Sequence, residues 1–349
     1  MPQTEERLIT GETKEDRMQD GPQPRRLDPR SVRWWHPLQR RERSPRHGHP
    51  ALTLVTFPEA EPFATELGDA LKHPIVTLAR HRFPDGETLI RVPAAPAKHA
   101  VLVDSLVDPN PKLFELLLAA DALRRAGAQR VTLVAPYLPY MRQDRVFHTG
   151  EPVSQLVLDR LLGQSFDHVV TVEPHLHRIA SLDEAFSCET TAVEATEPIA
   201  AWIRRAPENA LLIGPDAESR RWVRRIANRV GVPWAVAEKT RSGDRQVSID
   251  FPRLPWASKA VIVDDIASSG ATLAAAAASL RSRGIDRIEV VVVHAIFSAG
   301  ALEKIRAAGV DAIVSCDSVS HPTNRISLAP SVAEVLRGVS VVQRTQPEA

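Results

Sequence analysis

The chain has 349 residues and a net charge of +1 at pH 7, and its 43% apolar and 25% charged fractions are those of a globular protein long enough for two domains. The even charge removes the electrostatic case for nonspecific nucleic-acid binding, and no apolar run nears the roughly 18 residues that a membrane span needs. A cytoplasmic protein with neither nucleic acid nor membrane as partner is expected.

In chain order, Met1 to Pro50 comes first, rich in Pro, Arg, Gln, Asp and Glu with little periodic apolar pattern. It is polar and charged where a signal peptide has an apolar centre, and is expected to be a disordered extension. Arg40, Arg41, Arg43 and Arg46 are interrupted by Glu42, Ser44 and Pro45, which reads as a solvated charge run. Trp34-Trp35 is the one feature there suited to docking on a partner or on the body of the protein.

From Ala51 onward short apolar runs alternate with helical spacing. Strands are expected at Leu52 to Thr56, Ala100 to Val103, Arg130 to Val134 and His168 to Val172, with helices at Pro111 to Arg125 and Ser154 to Leu162. Further strands are expected at Ala210 to Ile213, Val261 to Val263 and Ile288 to Val293. Helical spacing there covers Glu197 to Arg205, Glu218 to Val230, Ala274 to Leu280 and Ala299 to Ala308. This alternation predicts an α/β protein with mainly parallel, right-handedly wound sheets and sites at the carboxyl ends of strands. Two such domains are expected, Ala51 to Ala195 and Thr196 to Ser327, with a last helical segment in 328–349, centred on Ser331 to Leu336, packing back on the first. Cys188 and Cys316 are too few and too distant for a disulfide framework or a zinc site, and are expected as buried, reduced thiols.

The run Val261-Ile262-Val263-Asp264-Asp265-Ile266-Ala267-Ser268-Ser269-Gly270-Ala271-Thr272 joins a buried strand, two carboxylates and a small-residue loop ahead of an alanine-rich helix. At a helix N-terminus unpaired backbone N–H groups favour a phosphate, the three hydroxyls add donors, and Gly270 permits close backbone approach. Asp264 and Asp265 suit ribose hydroxyls or a magnesium ion instead. An ordinary capped strand-to-helix turn is the competing reading.

Other stretches carry weaker signals. Phe83-Pro84-Asp85-Gly86-Glu87 is well formed for a simple turn. Val134 to Arg145 leaves a strand for a loop rich in Pro and Tyr, where Arg142 suits phosphate oxygens and Gln143 a hydrogen bond, although an exposed charged loop is the simpler reading. His175 ends the string Val172-Glu173-Pro174-His175, Asp216 follows the strand at Ala210 to Ile213, and Glu238-Lys239-Thr240-Arg241 runs into Ser242-Gly243-Asp244, the composition of a mobile basic loop. A Walker-type Gly-Lys-Ser/Thr element and a kinase-like glycine loop are both absent from the sequence.

Asp264 to Thr272 resembles the binding fingerprint for phosphoribosyl diphosphate (PRPP) shared by phosphoribosyltransferases and ribose-phosphate diphosphokinases, also called PRPP synthetases. Ser269 stands where Thr is usual and Ala271 where Gly is common. The other stretches resemble, in order, the diphosphokinase family's Phe-x-Asp-Gly-Glu loop, its Arg-Gln-Asp-Arg motif with Gly150 to Ser154, its Val-Asp-Leu-His segment, its Pro-Asp loop and its flexible catalytic loop. The likeness extends through Asp317-Ser318 to Arg325-Ile326-Ser327, and Glu218-Ser219 replace the Gly-Gly usual after Asp216.

The resemblance implies two phosphoribosyltransferase-like domains and transfer of the diphosphoryl group of Mg-ATP to ribose 5-phosphate, giving PRPP and AMP. It implies Lys239 and Arg241 as catalytic, and Phe83, Asp85, Gly86, Glu87, Arg142 and Gln143 as ATP-binding. It assigns Asp264, Asp265, Ser268, Ser269, Gly270, Ala271 and Thr272 to ribose 5-phosphate, and His175 and Asp216 to Mg2+. A homo-oligomer is implied, with Phe83 to Glu87 serving the ATP of a neighbouring subunit. The alternatives are a non-catalytic, synthetase-associated regulatory subunit and a phosphoribosyltransferase, which the Arg142 and Phe83 motifs and the duplicated domain disfavour.

Overall fold

The computed structural model describes residues 52–176, 178–179, 181–206, 210–242, 246–251 and 254–344, with backbone alone at 239–242, 246–248 and 339–344. The extension Met1 to Pro50, with its tryptophan pair and arginines, lies outside the described residues, as do Gly243 and Asp244.

The chain begins with strand β1 (Thr53–Thr56), helix α1 (Glu61–Leu71), strand β2 (Ile75–Thr77) and an antiparallel hairpin of β3 (Ala79–Arg82) and β4 (Thr88–Arg91). It continues through β5 (His99–Val103), α2 (Pro109–Arg125), β6 (Arg130–Ala135), α3 (Ser154–Ser165), β7 (His168–Val172), β8 (Glu189–Val193) and α4 (Thr196–Ile203). The six longer-range strands form a parallel sheet in the order β2-β1-β5-β6-β7-β8.

The same succession then repeats. It runs β9 (Ala210–Gly214), α5 (Arg220–Val230), β10 (Trp234–Val236), a hairpin of β11 (Glu238–Ser242) and β12 (Gln246–Asp250), β13 (Lys259–Ala267) and α6 (Ala271–Ser282). After these come β14 (Arg287–Ala295), α7 (Ala301–Ala307), β15 (Ala312–Cys316), β16 (Asn324–Ile326) and α8 (Ala329–Arg344). The second sheet, β10-β9-β13-β14-β15-β16, is the first one's counterpart strand for strand, parallel throughout. The α/β architecture with two mainly parallel sheets flanked by helices is therefore as the sequence predicts.

Every residue of β5, β7 and β9 is buried, the condition that produces near-continuous apolar runs in a parallel sheet. Strands at the sheet edges and in the hairpins carry no such run. Ala79–Arg82 is exposed along its whole length, and β8 reads Glu-Thr-Thr-Ala-Val, so neither was expected. Helix α1 was also not expected, yet Phe63, Ala64, Leu67 and Leu71 give it one buried stripe. Glu238 to Ser242, expected as a loop, is a paired strand.

The last helix of each half crosses over: α4 packs against α5 beside the second sheet, and α8 packs against α1 beside the first. Arg337 donates to the carbonyl of Ala70 at 2.5 Å, and Ser327 Oγ donates to Glu66 Oε2 at 2.5 Å. As a result one continuous apolar core runs from Val101 and Val170 of the first sheet to Val261 and Val291 of the second, with Leu336 in it. Cys316 is buried, whereas Cys188 is only half-buried, and both are unpaired thiols. Burial pushes the Cys188 thiol up to about 11.

Candidate active site

The carboxyl ends of β7, β9 and β13 open on a cavity of 870 Å³, whose wall includes Arg142, His175, Asp216, Asp264, Asp265 and Thr272. Both sheets contribute to it. His175 leaves the end of β7 in the first half, and its Nδ1 donates to Asp265 Oδ2, at the end of β13 in the second, at 2.7 Å.

Strand β13 runs on to Ala267, four residues past the expected end at Val263, so Asp264 and Asp265 are in the strand itself and address opposite faces. Their environments differ accordingly. Burial, and then the charges of Asp265 and Asp216, hold the Asp264 carboxyl well above the usual carboxylate range. Burial pushes Asp265 the same way, but its hydrogen bond to His175 and the His175 charge outweigh that and hold it low. One carboxylate is thus kept ionised beside a neighbour that resists ionisation.

The turn after β13 is tight. Gly270 has φ +69° as the cap of α6, and a Cβ there would lie 2.9 Å from Ile305 Cδ1 and 3.2 Å from the Ala301 carbonyl oxygen. The Ser268 carbonyl accepts the N–H of Ser298 at 3.1 Å, and the Ser269 carbonyl accepts Lys304 Nζ at 3.3 Å. Ala271 and Thr272 form the first turn of α6, and only Thr272 of the five residues 268–272 is on the cavity wall.

Asp216 begins a turn of its own. Its Oδ1 accepts the N–H groups of Glu218 at 3.1 Å and Ser219 at 3.2 Å, so these two backbone donors are folded back onto the carboxylate. Ser219 Oγ donates to the Asp216 carbonyl at 2.6 Å.

The remaining expected residues lie elsewhere. Phe83 to Glu87 form the tip of the β3–β4 hairpin, closed by Phe83 N–H to the Glu87 carbonyl at 2.8 Å, with Gly86 at φ +95°. This is the turn that Pro84-Asp85-Gly86 favours, and none of Phe83, Asp85, Gly86 or Glu87 is on the cavity wall. Gln143 accepts a hydrogen bond from Ser154 Oγ, and its carbonyl accepts Gln155 N–H at 3.3 Å, so it secures the start of α3. Lys239 and Arg241 are in β11, paired with Ile249 and Val247; their side chains lie outside what is described.

Three residues that the sequence reading passes over complete the wall or its support: Glu173, Trp222 and His294. Glu173 Oε1 accepts Ala195 N–H at 2.9 Å and Trp222 Nε1–H at 3.1 Å. His294 Nε2 donates to the Glu173 carbonyl at 3.3 Å, and burial pushes this imidazole down to about 4. The internal repeat was the available signal. Asp317, which follows β15 as Glu173 follows β7, accepts Leu328 N–H at 2.8 Å just ahead of α8, as Glu173 accepts Ala195 N–H just ahead of α4.

Comparison with known proteins agrees with this layout. The model for the N-terminal domain of ribose phosphate pyrophosphokinase matches residues 52–165, and the model for the phosphoribosyl transferase domain matches 190–323. The ribose-phosphate pyrophosphokinase of Methanopyrus kandleri is 32% identical over 83% of this chain and 100% of its own length. That of Thermococcus kodakarensis is 32% identical over 73% of this chain and 90% of its own. The crystal structure of phosphoribosylpyrophosphate synthetase from Mycobacterium smegmatis shares the fold, with a TM-score of 0.72 at 23% identity over 82% of this chain and 98% of that one. With a duplicated sheet, a site spanning both copies and a relative matched along its whole length, the chain belongs to the ribose-phosphate pyrophosphokinase family.

Proposed function

We propose that this protein transfers the diphosphoryl group of Mg-ATP to the anomeric hydroxyl of ribose 5-phosphate, forming PRPP and AMP. The sugar oxygen attacks the β-phosphorus, the bond from that phosphorus to the bridging oxygen breaks, AMP leaves with that oxygen, and the hydroxyl proton is released. The carrying observation is the shared cavity. Arg142, His175, Asp216, Asp264, Asp265 and Thr272 come from two sheets and face one space.

Each residue has a task suited to its chemistry. Asp264 holds ribose hydroxyls, which donate to its carboxyl oxygens, and the Ser268 to Thr272 turn receives the 5-phosphate at the start of α6. Arg142 neutralises ATP phosphates, while Lys239 and Arg241 from the β11–β12 hairpin offset charge on the transferred group. Among the described residues no three His, Cys, Asp or Glu side chains gather into a metal cage. That suits magnesium, which keeps waters and takes one or two protein ligands beside substrate phosphates, here His175 and Asp216. When bound, Mg2+ screens the phosphate charges and orients the diphosphoryl group.

The proposal includes a homo-oligomer in which Phe83, Asp85, Gly86 and Glu87 reach the ATP of a second copy; their place off the wall of this chain's own cavity supports it. It also includes a cytoplasmic location and a division near residue 195 into an ATP-side and a sugar-phosphate domain. No described helix is long and apolar enough to cross a membrane.

One observation favours a second reading, a non-catalytic regulatory subunit: the N–H groups of Glu218 and Ser219 are committed to Asp216 rather than turned to a pyrophosphate. The test is AMP and PRPP formation from Mg-ATP with and without ribose 5-phosphate. Equal, sugar-dependent amounts of both products are expected, and Lys239→Ala is expected to cut turnover by about 10²-fold or more with unchanged melting. Sugar binding without product moves the assignment to the regulatory subunit.

A further inference from the structure

Glu173 has φ +35°, a left-handed backbone that non-glycine residues avoid, and it precedes Pro174, which further restricts it. Nothing local favours this conformation. It is imposed from four directions: Glu173 N–H donates to the Val193 carbonyl at 3.0 Å, Oε1 accepts from Ala195 and from Trp222, and the carbonyl accepts from His294. Trp222 is on α5 and His294 on β14, so two of the four anchors belong to the second half of the molecule while Glu173 belongs to the first.

The internal repeat separates what the fold requires from what the site adds. Asp317, the counterpart of Glu173, makes the same hydrogen bond ahead of the final helix, yet its φ is not positive. Clamping that helix therefore does not need a left-handed residue. The turn at Glu173 is followed two residues later by His175 on Asp265; no such pair follows Asp317.

We propose that Glu173 is a positioning residue: anchored by Trp222, Ala195 and His294, it holds the left-handed turn that carries His175 from the first sheet to Asp265 of the second. A carbonyl acceptor requires the proton of His294 on Nε2. The ring of Tyr137 lies 5.1 Å from that of His294. Residues that orient a ligand in this way affect metal affinity by about 10- to 100-fold when lost.

The functional arm of the test rests on the assignment of His175 to the Mg-ATP side, so the experiment reads the two separately. Glu173→Gln keeps an oxygen acceptor for both N–H groups, whereas Glu173→Gly accepts the left-handed backbone but loses the anchor. In the Gly variant the half-saturating Mg-ATP concentration is expected to rise about tenfold with that for ribose 5-phosphate unchanged, and the Gln variant to stay within about threefold of wild type. The low-field proton resonance of His175 Nδ1–H on Asp265 is expected to persist in Glu173→Gln and to vanish in Glu173→Gly. If Glu173→Gly does not fold, Trp222→Phe, which keeps the ring and removes one donor, is expected to weaken the same resonance. Persistence of that resonance in Glu173→Gly, or equal loss for both substrates in Gln and Gly variants alike, overturns the proposal. Unchanged Mg-ATP saturation in His175→Ala instead overturns the assignment of His175, and leaves the resonance to judge Glu173.

Discussion

At the scale of single residues the site depends on positions where only one side chain, or none, fits. Gly270 is the sharpest case, because both its φ of +69° and the 2.9 Å approach of Ile305 oppose any Cβ. Gly270→Ala is expected to cost about 1–3 kcal/mol from the backbone alone. It is also expected to shift Ser268 to Thr272, so KM for ribose 5-phosphate should rise more than KM for Mg-ATP. Thermal melting with steady-state kinetics checks this, and an unaltered KM with normal melting contradicts it. The glycine and the acidic pair ahead of it are legible in the sequence because they lie within one short run. What distinguishes Asp264 from Asp265 is not, since it depends on His175, 90 positions away, donating to one carboxylate and not the other.

At the scale of elements, legibility follows burial. Strands such as His99–Val103, buried at every position, leave an apolar signature, whereas Asn324–Ile326 and the hairpin strand Ala79–Arg82 have too short or too polar a record to show themselves. The hairpins gain meaning from the repeat: β3–β4 and β11–β12 hold equivalent places in the two halves, so Phe83 to Glu87 and Lys239 to Arg241 are carried by the same kind of arm. The crossing helices are the other consequence of duplication. Leu336 is fully buried where α8 meets the shared core, and Leu336→Ala is expected to cost about 2–5 kcal/mol through lost burial and the cavity left behind. Because that core serves both sheets, denaturant unfolding of the variant should remain one transition at a lower midpoint. Two separated transitions would show instead that the halves unfold independently.

At the scale of the whole molecule, the surface is unfinished on one side. Helix α3 buries Leu158 and Leu162 inward but also exposes Leu156, Val157 and Leu161, and Phe114 of the adjoining α2 is 63% exposed. These exposed apolar side chains on adjoining helices suit a covering surface. In the homo-oligomer proposed above, a second copy of the chain would cover this face and bring its hairpin tip to the ATP. The sharing is testable with two inactive variants. Phe83→Ala removes the hairpin contribution and Lys239→Ala the function of the body that receives it, so each pure protein should be nearly inactive. Co-refolded at equal amounts, they are expected to form mixed pairs in which one of two sites is intact, returning about a quarter of wild-type turnover. Recovery follows only if Phe83 and Lys239 of one working site come from different chains; a mixture as inactive as its parts would place both residues in the same chain's site and leave the exposed face of α3 to another role.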